Sequence, residues 1–469
     1  MTGMIFITHI NTSKARIVSL NSDSRKKMPA VIIGEAPQYD ALTLFYADRY
    51  NNNIVHQIRL DSNKKTILTL QLEYSTLATI SKGWDFRYIW LRPGDTVYIK
   101  SGNGPLVNYH FYSDKQSYDN EINFWSSLSD KFKVLGFTFI SFNPGMDINY
   151  YLDAMNKRYK ELENYVNDYE KKVSISPSFK KKAADYIYYQ YIMHLTAPYV
   201  IKDNDSRKVP ENYACLLLSF KNQFDKPDLL TLESYRLCAW NYNKFLTRQL
   251  LDSSMSLSSS YASALHNFSG PTRDWILFKL LKDGLLNWQS DVEELYTRFP
   301  NDCHNLSYTT YIDSLRNQMT SITSGSLTFQ FYSLNGDSIT WKEILNKNSG
   351  KNILVDFWAT WCGPCRAELP YSFKLRDSLQ NKNIQFIYVS LDHSLPSWQN
   401  GVKKLFNNRS NQQHYLLKDQ FNSEFAKMIG MTSIPRYVLL DNARKVISLD
   451  APRPSDPRLK GIIKELSDK

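Results

Sequence analysis

The sequence has little cysteine, five residues in 469. That number cannot staple a small secreted scaffold, so any special role for cysteine has to come from spacing. It also lacks an apolar run of the ~18 residues that a membrane-spanning helix needs. The densest stretch, Tyr186 to Ile201, is interrupted by Gln190, His194 and Pro198. There is no block of one charge sign either. Fifty-seven Lys and Arg against 46 Asp and Glu leave +11, but the runs Arg25 to Lys27 and Lys180 to Lys182 are short and scattered. Such runs read as solvated surface and not as a nucleic-acid stripe. Metal-ligand spacing is missing as well: one CxxC has no second CxxC or His-x3-His to complete a site, and the eight histidines form no ligand pattern. No metal is expected. Met4 to Ile10 is apolar but short, with no basic residues before it and no small-residue cleavage site after it. The expectation is therefore either a cytoplasmic protein or a start upstream of Met1.

What the chain does have is apolar and aromatic content, 42% hydrophobic with 31 Tyr and 24 Phe, enough to exclude disorder. The length suggests about two to four domains. Residues 1–27 read as a leader of uncertain role. Residues 28–115 alternate with period two, as in Leu42, Leu44, Tyr46 and Ile67 to Leu72, and turn clusters at Asn51 to Asn53, Asp61 to Asn63 and Pro93 to Asp95 separate the runs. This predicts an antiparallel β sandwich with nothing catalytic in it.

Residues 116–324 read as a helical domain. Ile148, Leu152, Met155, Tyr159, Leu162, Val166 and Tyr169 recur at steps of four and three, one long amphipathic helix. Its stripe fits either a helix hairpin within the chain or a coiled-coil dimer. Further helices are predicted over 178–197, 210–224, 228–251, 272–288 and 306–319, with Ser253 to Ser260 as a loop and Thr320 to Ser326 as a linker. Residues 325–469 then change character. After an Asn335–Gly336 hairpin signal, strands at 352–358, 384–391, 437–440 and 445–449 alternate with helices at 366–380, 396–407, 420–429 and 457–467, an α/β layer fold.

Chemistry concentrates at Trp361-Cys362-Gly363-Pro364-Cys365, where a buried strand gives way to a helix. The free N–H groups and positive dipole end of a helix N-terminus favour a thiolate on Cys362. Two intervening residues put Cys365 one turn in, within disulfide reach, and Pro364 suits a first turn that has no use for its missing N–H. This spacing points to redox chemistry at the cysteine pair, which needs no cofactor. Cys215 and Cys238 sit among apolar residues and read as small buried hydrophobes. Cys303-His304 has no visible third partner for nucleophilic or ligand work.

The segments Ile353 to Pro370, Phe386 to Asp392 and Met428 to Asp441 together resemble a thioredoxin-fold domain, most similar to the TlpA/ResA-like thiol-disulfide oxidoreductases of bacterial cell envelopes. The resemblance implies Cys362 as the attacking and Cys365 as the resolving cysteine. It implies Pro435 as a cis-proline whose preceding residue, Ile434, faces the dithiol, so that Trp361, Gly363, Pro364, Ile434 and Pro435 meet the substrate chain. Asp356 matches the buried acid of thioredoxins and Glu368 an acid near the active site in this branch. By residue type alone either carboxylate could equally be a surface or capping group, and Trp361 could shield the disulfide or simply pack. The resemblance further implies disulfide-containing protein substrates, a membrane-bound electron donor with peripheral membrane association, and the cell envelope or periplasm as location. In that branch such reductants serve cytochrome c maturation or general thiol homeostasis. The Leu91 to Ile99 segment is similar to the β domain that precedes such domains in envelope proteins. The competing reading is a partner-binding scaffold in which residues 28–324 do the work and the thioredoxin domain is secondary.

Overall fold

The computed structural model describes residues 27–467 apart from 37–40, 83–84, 101, 103, 133–138, 202–208, 251–255, 287–290, 323–327, 380–381, 407–411 and 432. The expected leader, except Lys27, and the core of the expected linker lie outside the described residues.

Among the described residues eight strands come first: β1 Met28–Glu35, β2 Ala41–Ala47, β3 Asn53–Arg59, β4 Lys65–Leu72, β5 Thr76–Lys82, β6 Asp85–Leu91, β7 Thr96–Lys100 and β8 His110–Ser113. They form two four-stranded sheets, ordered β4-β1-β7-β8 and β3-β2-β5-β6. The period-two pattern has its expected cause, because Leu42, Leu44, Leu70 and Leu72 point into the core while their neighbours face out. One expectation needs correction: β1 and β7 pair in parallel, so the β region is not antiparallel throughout. Alternation reports which face a residue takes and is blind to strand direction.

Ten α-helices follow among the described residues: α1 Gln116–Phe132, α2 Ile148–Lys172, α3 Pro177–Leu195, α4 Ala197–Val200, α5 Glu211–Leu218, α6 Glu233–Leu250, α7 Leu257–Asn267, α8 Gly270–Leu286, α9 Val292–Asp302 and α10 Leu306–Ser321. The stripe of α2 is covered within the chain, where it packs on α3 and Tyr159 stacks on Tyr191 with ring centroids 4.6 Å apart. The serine-rich stretch is not a loop in its second half. Ser256 caps α7 and exchanges hydrogen bonds with Ser259 in a capping box, so serine here starts a helix that composition alone reads as a break. The predicted helix over 228–251 starts only at Glu233, after a 3-10 turn at Pro227–Thr231.

The turn between β2 and β3 is seated among α6, α8 and α10. Arg236 donates to Asp48 O at 3.0 Å, Trp275 Nε1 to Arg49 O at 3.2 Å, and Lys282 Nζ to Tyr50 O at 2.8 Å and Asn52 Oδ1 at 2.6 Å. The Tyr50 ring stacks on Tyr311 at 4.6 Å. Lys282 is buried among these partners, and burial pushes its pKa down to about 8. Replacing Lys282 by Ala would take this donor from Tyr50 O, while Asn52 Oδ1 keeps the Tyr311 hydroxyl at 3.1 Å, and is expected to cost about 1–2 kcal/mol in urea denaturation. A loss below about 0.5 kcal/mol would show that the turn is held by packing alone.

The last part holds β9 Gln330–Tyr332, β10 Ser338–Thr340, α11 Trp341–Lys347, β11 Asn352–Trp358, α12 Gly363–Asp377, β12 Ile384–Ser390, α13 Leu395–Phe406, β13 Gln413–Leu417, α14 Glu424–Met428, β14 Arg436–Leu440, β15 Val446–Ser448 and α15 Pro457–Ser467. The seven-stranded sheet is ordered β10-β9-β13-β12-β11-β14-β15. Every residue of β11 is buried, as expected for a central strand covered on both faces. Ile353, Val355 and Phe357 face an apolar cluster that extends through the helices to the N-terminal sheets. Leu354 and Trp358 face a second cluster that contains Cys362 and Cys365. Trp341 Nε1 donates to Ile322 O at 2.9 Å and Lys445 pairs with Glu293 on α9 at 3.0 Å, joining this last part to the helices before it.

Candidate active site

β11 ends at Trp358, the chain turns through Ala359 to Trp361, and α12 begins at Gly363 with Cys362 as its cap. Pro364 occupies the first turn, where its ring costs no hydrogen bond. Cys362 and Cys365 are joined in a disulfide, their Cα atoms 5.3 Å apart. Cys362 Sγ accepts the Cys365 N–H at 3.1 Å and lies 3.8 Å from the carbonyl oxygen of Ile434. In the oxidised state neither sulfur carries a proton, so the contact to Ile434 becomes a donor–acceptor pair only once Cys362 is reduced. The Ile434–Pro435 bond is cis.

Both sulfur residues are buried, whereas Gly363 and Pro364 are exposed and Trp361 is 54% exposed. The Trp361 side chain therefore stands out beside the disulfide and is not packed into the core. Ile434 and Pro435 are half-buried. The rim of the site thus combines an exposed indole, two exposed helix-start residues and a backbone carbonyl.

Behind the rim lies Asp356, six residues before Cys362 in the sequence. Strand alternation puts it on the same face of the sheet as Leu354 and Trp358, the face that packs against the cysteines. Its cross-strand neighbours are Tyr388 on β12 and Tyr437 on β14. Asp356 is 2% exposed, and its Oδ2 and the Tyr437 hydroxyl have no hydrogen-bond partner among the described residues. Burial, with a smaller contribution from the Glu368 carboxylate, raises the Asp356 pKa to about 8. Such a carboxyl is largely protonated at neutral pH and titrates where thiols do. Glu368 is also buried, on α12, and accepts the Ser455 N–H at 3.1 Å and the Ser455 hydroxyl at 2.8 Å. It anchors the loop ahead of α15 while placing negative charge beside Asp356.

The structure thus gathers the nine residues singled out in the sequence around one helix start. It adds Tyr388, Tyr437 and Ser455, which no motif marks; only the cross-strand register reveals the two tyrosines. The remaining cysteines stay outside. Cys238 and Cys303 are buried, and burial lifts the Cys303 pKa to about 12. Cys215 is exposed, contrary to its expected burial, because α5 turns it away from the core that Tyr213, Ala214 and Leu217 enter.

With this geometry established, comparison with known proteins gives the class. Residues 328–463 match the family described as Redoxin, and this segment of the chain is a redoxin domain. Among curated relatives, the thiol-disulfide oxidoreductase ResA of Oceanobacillus iheyensis is 44% identical over 48 residues, 10% of this chain and 25% of that protein. ResA of Bacillus thuringiensis is 29% identical over 98 residues, 21% of this chain and 53% of the relative. The chain therefore spans a quarter to about half the length of these relatives. A solved thiol-disulfide oxidoreductase from Bacteroides fragilis is 24% identical and covers 29% of this chain and 96% of its own, with a TM-score of 0.26.

Proposed function

We propose that this chain is a thiol–disulfide oxidoreductase that reduces protein disulfides through Cys362 and Cys365. The observation that carries the reading is the disulfide-bonded pair at the start of α12, beside the Ile434 carbonyl and on the sheet face that bears Asp356. In the reduced enzyme the Cys362 thiolate attacks one sulfur of a substrate disulfide, forming a mixed disulfide and releasing the other substrate sulfur as a thiolate. Cys365 then gives its proton to Asp356, in the fraction of molecules in which that acid is ionised, and attacks Cys362. The second substrate thiol leaves, and the enzyme is left in the oxidised form seen here. The extended substrate chain would lie along Trp361, Gly363, Pro364, Ile434 and Pro435, where the half-buried Ile434-Pro435 segment offers backbone groups for pairing. Two electrons from a donor dithiol restore the pair. No cofactor enters the cycle.

The Gly363-Pro364 dipeptide favours the reducing direction, since thioredoxin, which shares it, lies near about −270 mV and oxidants such as DsbA near about −120 mV. Likeness to ResA supports a place in the cell envelope, a membrane-bound donor, and clients such as cytochrome c precursors or other protein thiols. Equilibrating the full chain in defined dithiol/disulfide buffers and alkylating free thiols tests the reading. A midpoint at or below about −250 mV is expected. A midpoint above about −150 mV would reverse the direction, and a pair that does not titrate would leave the partner-binding scaffold as the better account.

A further inference from the structure

β11 and β12 pair in parallel as far as Trp358 and Ser390, and Leu391 N–H adds one more bond to Trp358 O at 2.8 Å. Past that point a side chain continues the ladder. The Asp392 carboxylate accepts the Thr360 N–H at 3.0 and 3.3 Å and the Thr360 hydroxyl at 2.5 Å, while the Ser390 hydroxyl donates to it at 2.7 Å. Asp392 is 2% exposed, and among the described residues no cationic side chain pairs with it. A buried carboxylate is tolerated only when such bonds are made, so the three donors and the acid hold one another in place.

On its other side Thr360 meets α13. A Cβ built on Gly401 would lie 2.2 Å from Thr360 Cγ2, so the helix comes close there only as bare backbone. Thr360 is gripped between a carboxylate and a helix, two residues before Cys362. The same turn is closed by Cys362 N–H to Ala359 O at 3.1 Å.

We propose that Asp392 is a positioning residue for the dithiol: through Thr360 it fixes the turn that carries Cys362 onto the N-terminus of α12. The inference rests on the reading of Cys362 as the attacking thiol. Asp392 bonds to the turn and not to either sulfur, so its effect passes through backbone placement. That effect has a sign opposite to simple electrostatics. Deleting a nearby negative charge favours a thiolate. Loosening the turn takes Cys362 away from the Cys365 N–H and the helix end, which disfavours it.

The test is the pH dependence of iodoacetamide alkylation at Cys362 in the reduced full chain, read by mass spectrometry of the Cys362 peptide because the exposed Cys215 would be alkylated too. Asp392→Asn is expected to slow alkylation at pH 7 about fivefold and Thr360→Val about twofold, while Thr360→Ser, which keeps the donor, retains the original profile. Circular dichroism reports whether each variant is folded. A folded Asp392→Asn that reacts as fast as the parent, or faster, overturns the proposal. If Asp392→Asn does not fold, Thr360→Val decides, and an unchanged profile there overturns it. Failure of the oxidoreductase reading would show elsewhere, as an unmodified chain whose pair does not titrate in redox buffers.

Discussion

Asp356→Asn is expected to make the protein more stable at pH 7, by about 2–4 kcal/mol, and at the same time slower to release a mixed disulfide. The gain follows from the environment of the carboxyl: 2% exposed, with Oδ2 unpartnered among the described residues and its pKa raised to about 8 by burial first and Glu368 second. The folded protein holds this proton more tightly than the unfolded chain, whose aspartate titrates near about 4. The favourable contribution is therefore complete below about pH 4 and is lost as the pH rises through about 8. An asparagine carries no such penalty, so the two proteins should differ at pH 7 and converge near pH 4. Urea denaturation at both values checks this, and equal stability at pH 7 would mean that the acid is solvated or paired. The kinetic half of the expectation runs the other way. Resolution of the mixed disulfide should quicken with pH up to about 8 in the unmodified chain and fall about 10- to 100-fold in Asp356→Asn, whose pH profile should follow the Cys365 thiol alone.

Cys365→Ser is expected to convert a transient mixed disulfide into a trapped one. With Cys362 free to attack and no resolving thiol behind it, protein clients should accumulate on the variant, separable on non-reducing gels and released by dithiothreitol. Cys362→Ser should capture nothing and should lower disulfide reduction by at least about a thousandfold. The pair of variants assigns the roles: if Cys362→Ser captured clients and Cys365→Ser did not, attacker and resolver would be exchanged. Position on the helix argues for the order given: both cysteines are buried, but Cys362 caps α12 beside exposed Gly363 and Pro364, where the helix end favours a thiolate, while Cys365 lies one turn further in.

Most of the redox chemistry was legible in the sequence because it is local. Cys362, Gly363, Pro364 and Cys365 lie within one turn, and the apolar run Asn352–Trp358 ahead of them announces a buried central strand by composition alone. Asp356 stood out as the single acid in that run, but the role expected of it came from the resemblance and not from the residues alone. The supporting residues could not. Asp392 meets Thr360 across 32 positions and Ser455 meets Glu368 across 87, and no periodicity records such pairings. Tyr388 and Tyr437 flank Asp356 only once β12 and β14 have taken their register. The parallel pairing of β1 with β7 was hidden because alternation is the same in either direction. Ser256 and Ser259 were misread because serine favours loops and helix caps alike, and only the bonds formed distinguish them.

The apolar cluster that reaches from the N-terminal sheets through the helices to Val355 and Phe357 has a consequence for cooperativity. Parts of a chain that share one core tend to open as one unit. The strand that holds Asp356 has one face in that common core and the other against the disulfide. Exposing the sulfurs by unfolding then means breaking contacts made by residues hundreds of positions away. The N-terminal sheets and the helices thereby bear on how rarely unfolding uncovers the disulfide.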